Sequence, residues 1–401
     1  MRSVSTVLQI KQDLIMVLKG DSMTNNEITF PIGYYDFHKD KGFNFQLNRW
    51  YSIGFARYED MKEAGQRINS FKDWKIEMLR LADIAISESR LINGAFYYRA
   101  AEFFTSREDP DKELLYNKFI NTFYKVFQDD EIEKYEVPYN HTFLPAIKIQ
   151  PIDKDKRGTI VLHGGFDSFM EEFYSMIRYF SGHGYEVIAF DGPGQGTALK
   201  KYGLVFDYEW ERPAEAILDH FNLDDVSWFG ISMGGWLGLR AAAFEPRIKR
   251  IVASSVSFGV NQYANIVGQL MAKLLFKYFK GFVNNAMVKK MKKDLMYSWF
   301  SNNLMYITDK KVPIDGFDVL LQLNEGNLRS DLVKQDVMIL TGRKDHMIPL
   351  KMHKIQVQAL TNAKSITDFI FTEEMHAQNH CQVGNVGLAL ETVIKWIEQK
   401  S

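Results

Sequence analysis

The stretch Val226-Ser227-Trp228-Phe229-Gly230-Ile231-Ser232-Met233-Gly234-Gly235 decides how this chain reads. Residues 226–229 form a short apolar run of the kind that makes a buried strand, and a helical, Ala-rich stretch continues from 233 to about 245. Between them stands G-x-S-x-G. At a strand-to-helix turn this pattern puts the serine in a strained backbone conformation and holds its hydroxyl out at the end of a sheet. Gly230 and Gly234 are small because a side chain at either place would collide with the turn. The helix start favours negative charge, through its free amides and its dipole. The backbone N–H of Met233 is therefore one natural donor to a developing oxyanion. A Gly-rich turn with an incidental serine is the competing reading; the strand before and the helix after favour Ser232 as a nucleophile.

Working outward, short apolar runs alternate with helical segments. Runs at 159–162, 187–190, 226–229, 251–253, 337–340 and 366–371 are predicted strands; segments near 173–180, 211–221, 233–245, 350–360 and 385–399 are predicted helices. Such alternation implies a mostly parallel sheet with helices on both faces, its strands solidly apolar because both faces are covered. Ahead of it, residues 135–138 and 144–149 read as a hairpin turning at Tyr139-Asn140-His141.

A serine hydroxyl needs a base to take its proton. On a strand–turn–helix scaffold of this kind the partners follow in the order acid, then histidine. Leu340-Thr341-Gly342-Arg343-Lys344-Asp345 puts Asp345 on the loop after a late strand, whereas Asp331 and Asp336 precede that strand and belong to the wrong end of the sheet. Met375-His376-Ala377-Gln378-Asn379-His380-Cys381 follows the last strand and offers two histidines. His380, next to the final helix, is favoured over His376, and His346 reads as a bystander. His163-Gly164-Gly165-Phe166 ends the first parallel strand, and an N–H from that loop completes an oxyanion hole: Phe166 is the choice, Gly165 the alternative. Asp167, Glu171 and Glu172 read as an acidic helix start facing solvent, with room for one of them to line the pocket. His376 and His380 have zinc-compatible spacing, but no third ligand is evident, so neither a metal nor a cofactor is expected. Cys381 reads as a small buried residue rather than a nucleophile.

Two helical regions flank the alternation. Residues 1–133 read as an accessory domain of three or four helices, with Trp74, Met78, Leu81 and Ala85, then Phe96, Ala100 and Phe103, then Tyr116, Ile120, Phe123 and Phe127 at helical spacing. Residues 134–401 read as the catalytic domain. It is interrupted at about 256–330 by a helical insertion placed where a lid belongs, with Val267, Met271, Leu274 and Tyr278 on one stripe. Met271, Phe276, Tyr278, Phe279 and Met291 together suggest apolar surface presented to the site. Lys289, Lys290, Lys292 and Lys293, preceded by Lys273, Lys277 and Lys280, read as a solvated face, with a funnel for an acidic substrate as the sharper alternative.

Composition limits the partners. With 49 Lys+Arg against 50 Asp+Glu there is no global attraction to nucleic acid or to an anionic membrane. A single cysteine excludes an internal disulfide and fits a reducing cytosol. Lys11 and Asp13 interrupt the apolar run after Arg2 before it reaches signal-peptide length, and no later run is long enough to span a bilayer. A cytoplasmic protein acting on a small molecule or short peptide is expected.

Taken together, residues 163–168, Phe190-Asp191-Gly192-Pro193-Gly194-Gln195-Gly196, residues 230–235 and Asn379-His380-Cys381-Gln382 resemble a bacterial and fungal group of α/β-hydrolases. The group includes 2,6-dihydropseudooxynicotine hydrolase, fungal polyketide-shortening hydrolases and fermentation-respiration switch proteins, and is acylaminoacyl-peptidase-like or prolyl-oligopeptidase-like. The resemblance runs over nearly the whole chain. It implies the α/β-hydrolase fold, Ser232, Asp345 and His380 as the triad, and a homodimer. A β-propeller is excluded, because the first 130 residues are too few and too helical for several four-stranded blades. The expected activity is hydrolysis of an ester, amide or acylated peptide. Hydrolysis of a carbon–carbon bond in a β-diketone-like compound is the second reading, and a non-catalytic binding protein on the same scaffold the third.

Overall fold

A computed structural model describes residues 29–152, 155–263 and 266–401. The reading of Arg2, Lys11 and Asp13, and the first 28 residues of the helical region, lie outside the described residues. Helices come first: Lys41–Ser52 (α1), Tyr58–Arg67 (α2), Phe71–Ser87 (α3), Leu91–Phe103 (α4) and Asp111–Val126 (α5). Among the described residues that makes five where the periodicity suggested three or four, because α1 and α2 are short and their apolar spacing is irregular. Side chains set their starts: the Asp40 carboxylate accepts from the N–H groups of Gly42 and Phe43, and Ser70 Oγ accepts from that of Asp73. Trp74, Met78, Leu81 and Ala85 all turn inward, as their spacing predicts.

Among the described residues the sheet has eight strands in the order β1-β2-β4-β3-β5-β6-β7-β8. Glu133–Tyr139 (β1) and Thr142–Ile149 (β2) form the expected hairpin, and its turn residues Asn140 and His141 both have positive φ, as a tight two-residue hairpin requires. β2 runs antiparallel to Tyr185–Phe190 (β4). The remaining pairs, through Gly158–His163 (β3), Val226–Ile231 (β5), Ile248–Ser254 (β6), Asp336–Gly342 (β7) and Ser365–Phe371 (β8), are parallel. Both faces are covered. Ile160, Leu162, Phe229 and Leu340 enter a core shared with the N-terminal helices, while their alternates Val161, Trp228 and Ile339 enter the core on the opposite face. The sheet helices are Tyr174–Gly182 (α6), Gly196–Lys200 (α7), Glu211–His220 (α8) and Met233–Phe244 (α9). Between β6 and β7 the chain forms Ile266–Tyr278 (α10), Lys280–Met291 (α11), Leu295–Ile307 (α12), Pro313–Leu320 (α13) and Glu325–Leu328 (α14). Lys351–Ala359 (α15) and Val386–Lys400 (α16) complete the fold.

A buried ionic knot joins the helical layer to the loop after β3. Glu172, fully buried, takes Arg99 Nε at 2.6 Å on one oxygen and Arg49 on the other. Arg99, also fully buried, pairs with Glu102, lies over the Phe169 ring at 3.9 Å and donates to the Asp167 carbonyl at 2.8 Å. Glu102 in turn accepts Lys112 at 2.8 Å and Lys200 at 2.7 Å. Asp167 and Glu171 are buried too. The expectation of a solvent-facing acidic helix start is thus corrected. In the short helical turn at Met170–Phe173, Glu172 meets Arg99 and Arg49 from distant helices, and Glu171 accepts from the Tyr124 hydroxyl at 2.9 Å. Burial pushes the Glu171 carboxyl up to about 7 and also raises that of Asp167.

Removing one member of such a network strands the others' charges away from water. Arg99→Met should lower the unfolding free energy by about 3–5 kcal/mol in urea titrations. A loss below about 1 kcal/mol, the range of an exposed pair, would contradict this account of the knot.

Candidate active site

The strand-to-helix turn has the geometry that its sequence demands. Ser232 sits at φ 60° and ψ −125°, outside the regions open to ordinary L residues, with its N–H donating to the Ser254 carbonyl at 2.9 Å. A methyl group on Gly230 would come within 2.1 Å of the Gly234 carbonyl oxygen, and one on Gly234 within 2.4 Å of that of Gly164. The loop after β3 is therefore packed backbone against backbone on the turn. A methyl group on Gly165 would meet the Met233 nitrogen at 2.7 Å. Met233 opens α9, where no preceding turn supplies an acceptor for its amide.

Of the residues singled out from sequence, Ser232, Asp345 and His380 come together. Ser232 Oγ lies 2.8 Å from His380 Nε2, and His380 Nδ1 lies 2.8 Å from Asp345 Oδ2. The other carboxylate oxygen accepts the N–H groups of Met347 and Ile348, each at 2.8 Å. Burial alone would raise the Asp345 carboxyl; the His380 charge and these hydrogen bonds outweigh it and hold the group below the usual carboxylate range. Burial alone would likewise lower the His380 imidazole; Asp345, with a contribution from Cys381, outweighs it and lifts the ring well above its ordinary value. His376 is exposed and stands apart, at positive φ. Cys381 is half-buried. Among the described residues, no group of three or more His, Cys, Asp and Glu side chains is placed to hold a metal ion.

Other residues hold this arrangement and were not assigned roles from sequence. Gln195, from the Gly-Pro-Gly-Gln-Gly segment, donates through Nε2 to the carbonyls of Gly164 at 2.8 Å and Gly165 at 3.0 Å, while its Oε1 accepts from Gly192 N–H. Gln382 Oε1 accepts from Ser254 Oγ at 2.8 Å, and Ser255 Oγ accepts from Cys381 N–H at 2.8 Å; the end of β6 thereby grips the histidine loop. Ser52, at the end of α1, accepts from Gly384 N–H at 2.9 Å, so the helical layer reaches the same loop. The Phe45 ring lies 4.7 Å from His346 and 6.0 Å from His380. His163 is wholly buried; burial lowers its imidazole to about 4, so it stays neutral, with Nδ1 2.9 Å from the Gly164 carbonyl.

The inserted helices meet the loop through residues other than those expected. Phe300 stacks on Phe166 at 5.1 Å, and Trp299 lies edge-on to it at 6.0 Å while donating to the Phe103 carbonyl. Met271, Tyr278 and Phe279, read as apolar surface turned toward the site, are instead exposed, and Phe276 and Met291 are half-buried. The side chains of Val267 and Lys273 lie outside the described residues. The periodicity marked an apolar stripe correctly but carries no information on which way the stripe faces.

Residues 159–369, more than half of the chain, match the family of the α/β hydrolase fold, and the chain belongs to that family. Among curated relatives, the hydrolase LUC6 of Fusarium sp is 34% identical over 188 residues, which cover 40% of this chain and 43% of that protein. The α/β hydrolase psoB of Aspergillus fumigatus is 25% identical over 344 residues, 76% of either chain. The chain spans about half the length of the first relatives it matches, 43% of LUC6 and 53% of the hydrolase acrC of Aspergillus aculeatus. The crystal structure of the 2,6-dihydroxy-pseudo-oxynicotine hydrolase aligns over 87% of this chain and 93% of its own, with a TM-score of 0.63 at 17% identity. At that identity the likeness shows the fold, and it agrees with the group that the motifs resemble.

The turn leaves no room for added bulk. Gly230→Ala should therefore lower stability by about 1–3 kcal/mol or prevent folding, read by thermal unfolding and soluble yield. Unchanged unfolding would contradict the backbone packing described.

Proposed function

We propose that this protein is a serine hydrolase that cleaves an ester, amide or acylated peptide bond. The observation that carries the reading is the unbroken relay from Ser232 through His380 to Asp345, with both links at 2.8 Å. In this reading His380 takes the Ser232 proton as the oxygen attacks the carbonyl carbon. Asp345 fixes the imidazole's orientation and stabilises its charge. The amides of Met233 and Phe166 hold the oxyanion, and Gln195 keeps the Phe166 loop in place by binding its carbonyls. The protonated His380 then gives its proton to the leaving group, and water, activated by the same ring, clears the acyl-enzyme. Residues 134–401 form the catalytic unit, with α10–α14 inserted as a lid and the helices before residue 133 as an accessory layer. The hydrolase names of the curated relatives support the reaction class.

A panel of p-nitrophenyl esters, aminoacyl anilides and a β-diketone tests the bond type. Turnover of esters or anilides well above that of the diketone is expected, and the reverse would replace this reading by carbon–carbon bond hydrolysis. With the best substrate, Ser232→Ala should lower kcat by about three to six orders of magnitude with thermal unfolding unchanged. Retained turnover would remove the serine mechanism.

The pH profile follows from the sign of the His380 shift. Only the neutral ring acts as a base, and its proton is held more tightly than the ordinary value of 6.5 implies. The acid limb of kcat/KM should therefore fall above that value, and Asp345→Asn should move whatever activity remains to lower pH. A wild-type limb below 6.5 would contradict the assigned electrostatics.

A further inference from the structure

The segment 266–293 contains seven lysines and no acidic residue, although the whole chain is balanced to a net charge of −1. Along α10, Leu270, Leu274 and Tyr278 recur every fourth residue and stand in solvent, at 60%, 44% and 63% exposure, with Met271 beside them. The apolar face continues past the helix end through Phe279 and Phe282, the latter 70% exposed. Lys277, Lys280, Lys289, Lys290, Lys292 and Lys293 are exposed in the same stretch. Lys280 is drawn to Asp318, whereas Lys277 and Lys290 lie by the rings of Tyr278 and Tyr297, at 5.1 and 4.1 Å. A run of large apolar side chains left in water is unusual for a soluble surface and marks an interface.

We propose that this face of α10 and α11 seats on the surface of an anionic phospholipid bilayer, with the apolar residues in the headgroup–acyl boundary and the lysines on the phosphates. Charge selects this occupant. A second copy docked on the same face would set lysines against lysines, and a nucleic acid would leave the leucine and aromatic stripe without a partner. A lysine-rich face combined with Leu, Phe and Tyr suits a charged interface lying over hydrocarbon. No helix among the described residues is long and apolar enough to cross a membrane, so the contact lies in the plane of the interface. The face leaves the fold beside the candidate site. The segment leading into α10 starts at the end of β6, where Ser254 and Ser255 hold the histidine loop. Binding there brings the rim of the site to the lipid.

The test is sedimentation of the full chain with sucrose-loaded vesicles. One set is phosphatidylglycerol and phosphatidylcholine in equal parts; the other is phosphatidylcholine alone. The anionic vesicles should bind the protein at least about tenfold better, and rising NaCl should weaken that binding. Leu270→Ser, Tyr278→Ser and Phe282→Ser combined should lose about tenfold or more of it, as should Lys289→Glu with Lys290→Glu, with circular dichroism unchanged. The lysine pair is exposed and away from the core, so it keeps the test decisive if the triple variant fails to fold. Equal binding to both vesicle sets, or variants that bind like the wild type, would overturn the proposal. So would a dimer, seen by light scattering, that the triple variant dissolves without any vesicle binding. The readout involves no turnover, so its failure is distinct from a failure of the serine-hydrolase reading.

Discussion

Two charges buried together without water constrain everything around them, and in this protein they are Arg99 and Glu172. Neither has any exposure. Desolvating such a pair costs several kcal/mol per ion unless each remaining hydrogen-bonding position is filled. The helices before residue 133 supply Arg49 to Glu172 and Glu102 to Arg99, and Glu102 is met in turn by Lys112 and by Lys200 from α7. The helical layer is consequently not a detachable appendage. It supplies the counter-charges for acids rooted in the loop that follows β3, and Arg99 binds that loop's backbone directly at Asp167.

From that anchored loop the geometry of the site follows by close backbone contact. Gly164 and Gly165 lie against the serine turn where no side chain fits, and Gln195 holds their carbonyls from the other side. The histidine loop is fixed independently by Ser254, Ser255 and Ser52. The acid loop adds a third backbone contact: a methyl group on Gly342 would lie 2.3 Å from the Asn379 carbonyl oxygen. Three loops from different strand ends are thus held against one another by close contacts, which is the preorganisation that the proposed acyl transfer would draw on. The exposed face of α10 and α11 stands outside this locked centre.

Local patterns in the sequence reached far into this structure. The run-and-turn pattern around Ser232 marked the strand-to-helix turn, and chain order picked out Asp345 and His380, which the structure brings into one hydrogen-bonded chain with Ser232. Asn140-His141 gave the hairpin its turn. What stayed hidden depends on partners distant in the chain. Asp167, Glu171 and Glu172 look like an ordinary acidic helix start until Arg99 and Arg49 arrive from α4 and α1. Gln195 and Gln382 stood in recognisable motifs, yet their amides act on loops 30 and 128 residues away. Periodicity found the α10 stripe but had no means of showing that it faces water.

The central claim is that Ser232 is an activated nucleophile made so by His380. The most direct measurement is covalent labelling with a fluorophosphonate, followed by peptide mass mapping of the intact chain. The account predicts one adduct per chain, on the peptide bearing Ser232, and a labelling rate at least about 100-fold slower in His380→Ala. Absence of an adduct, an adduct on another residue, or labelling indifferent to the loss of His380 would contradict it.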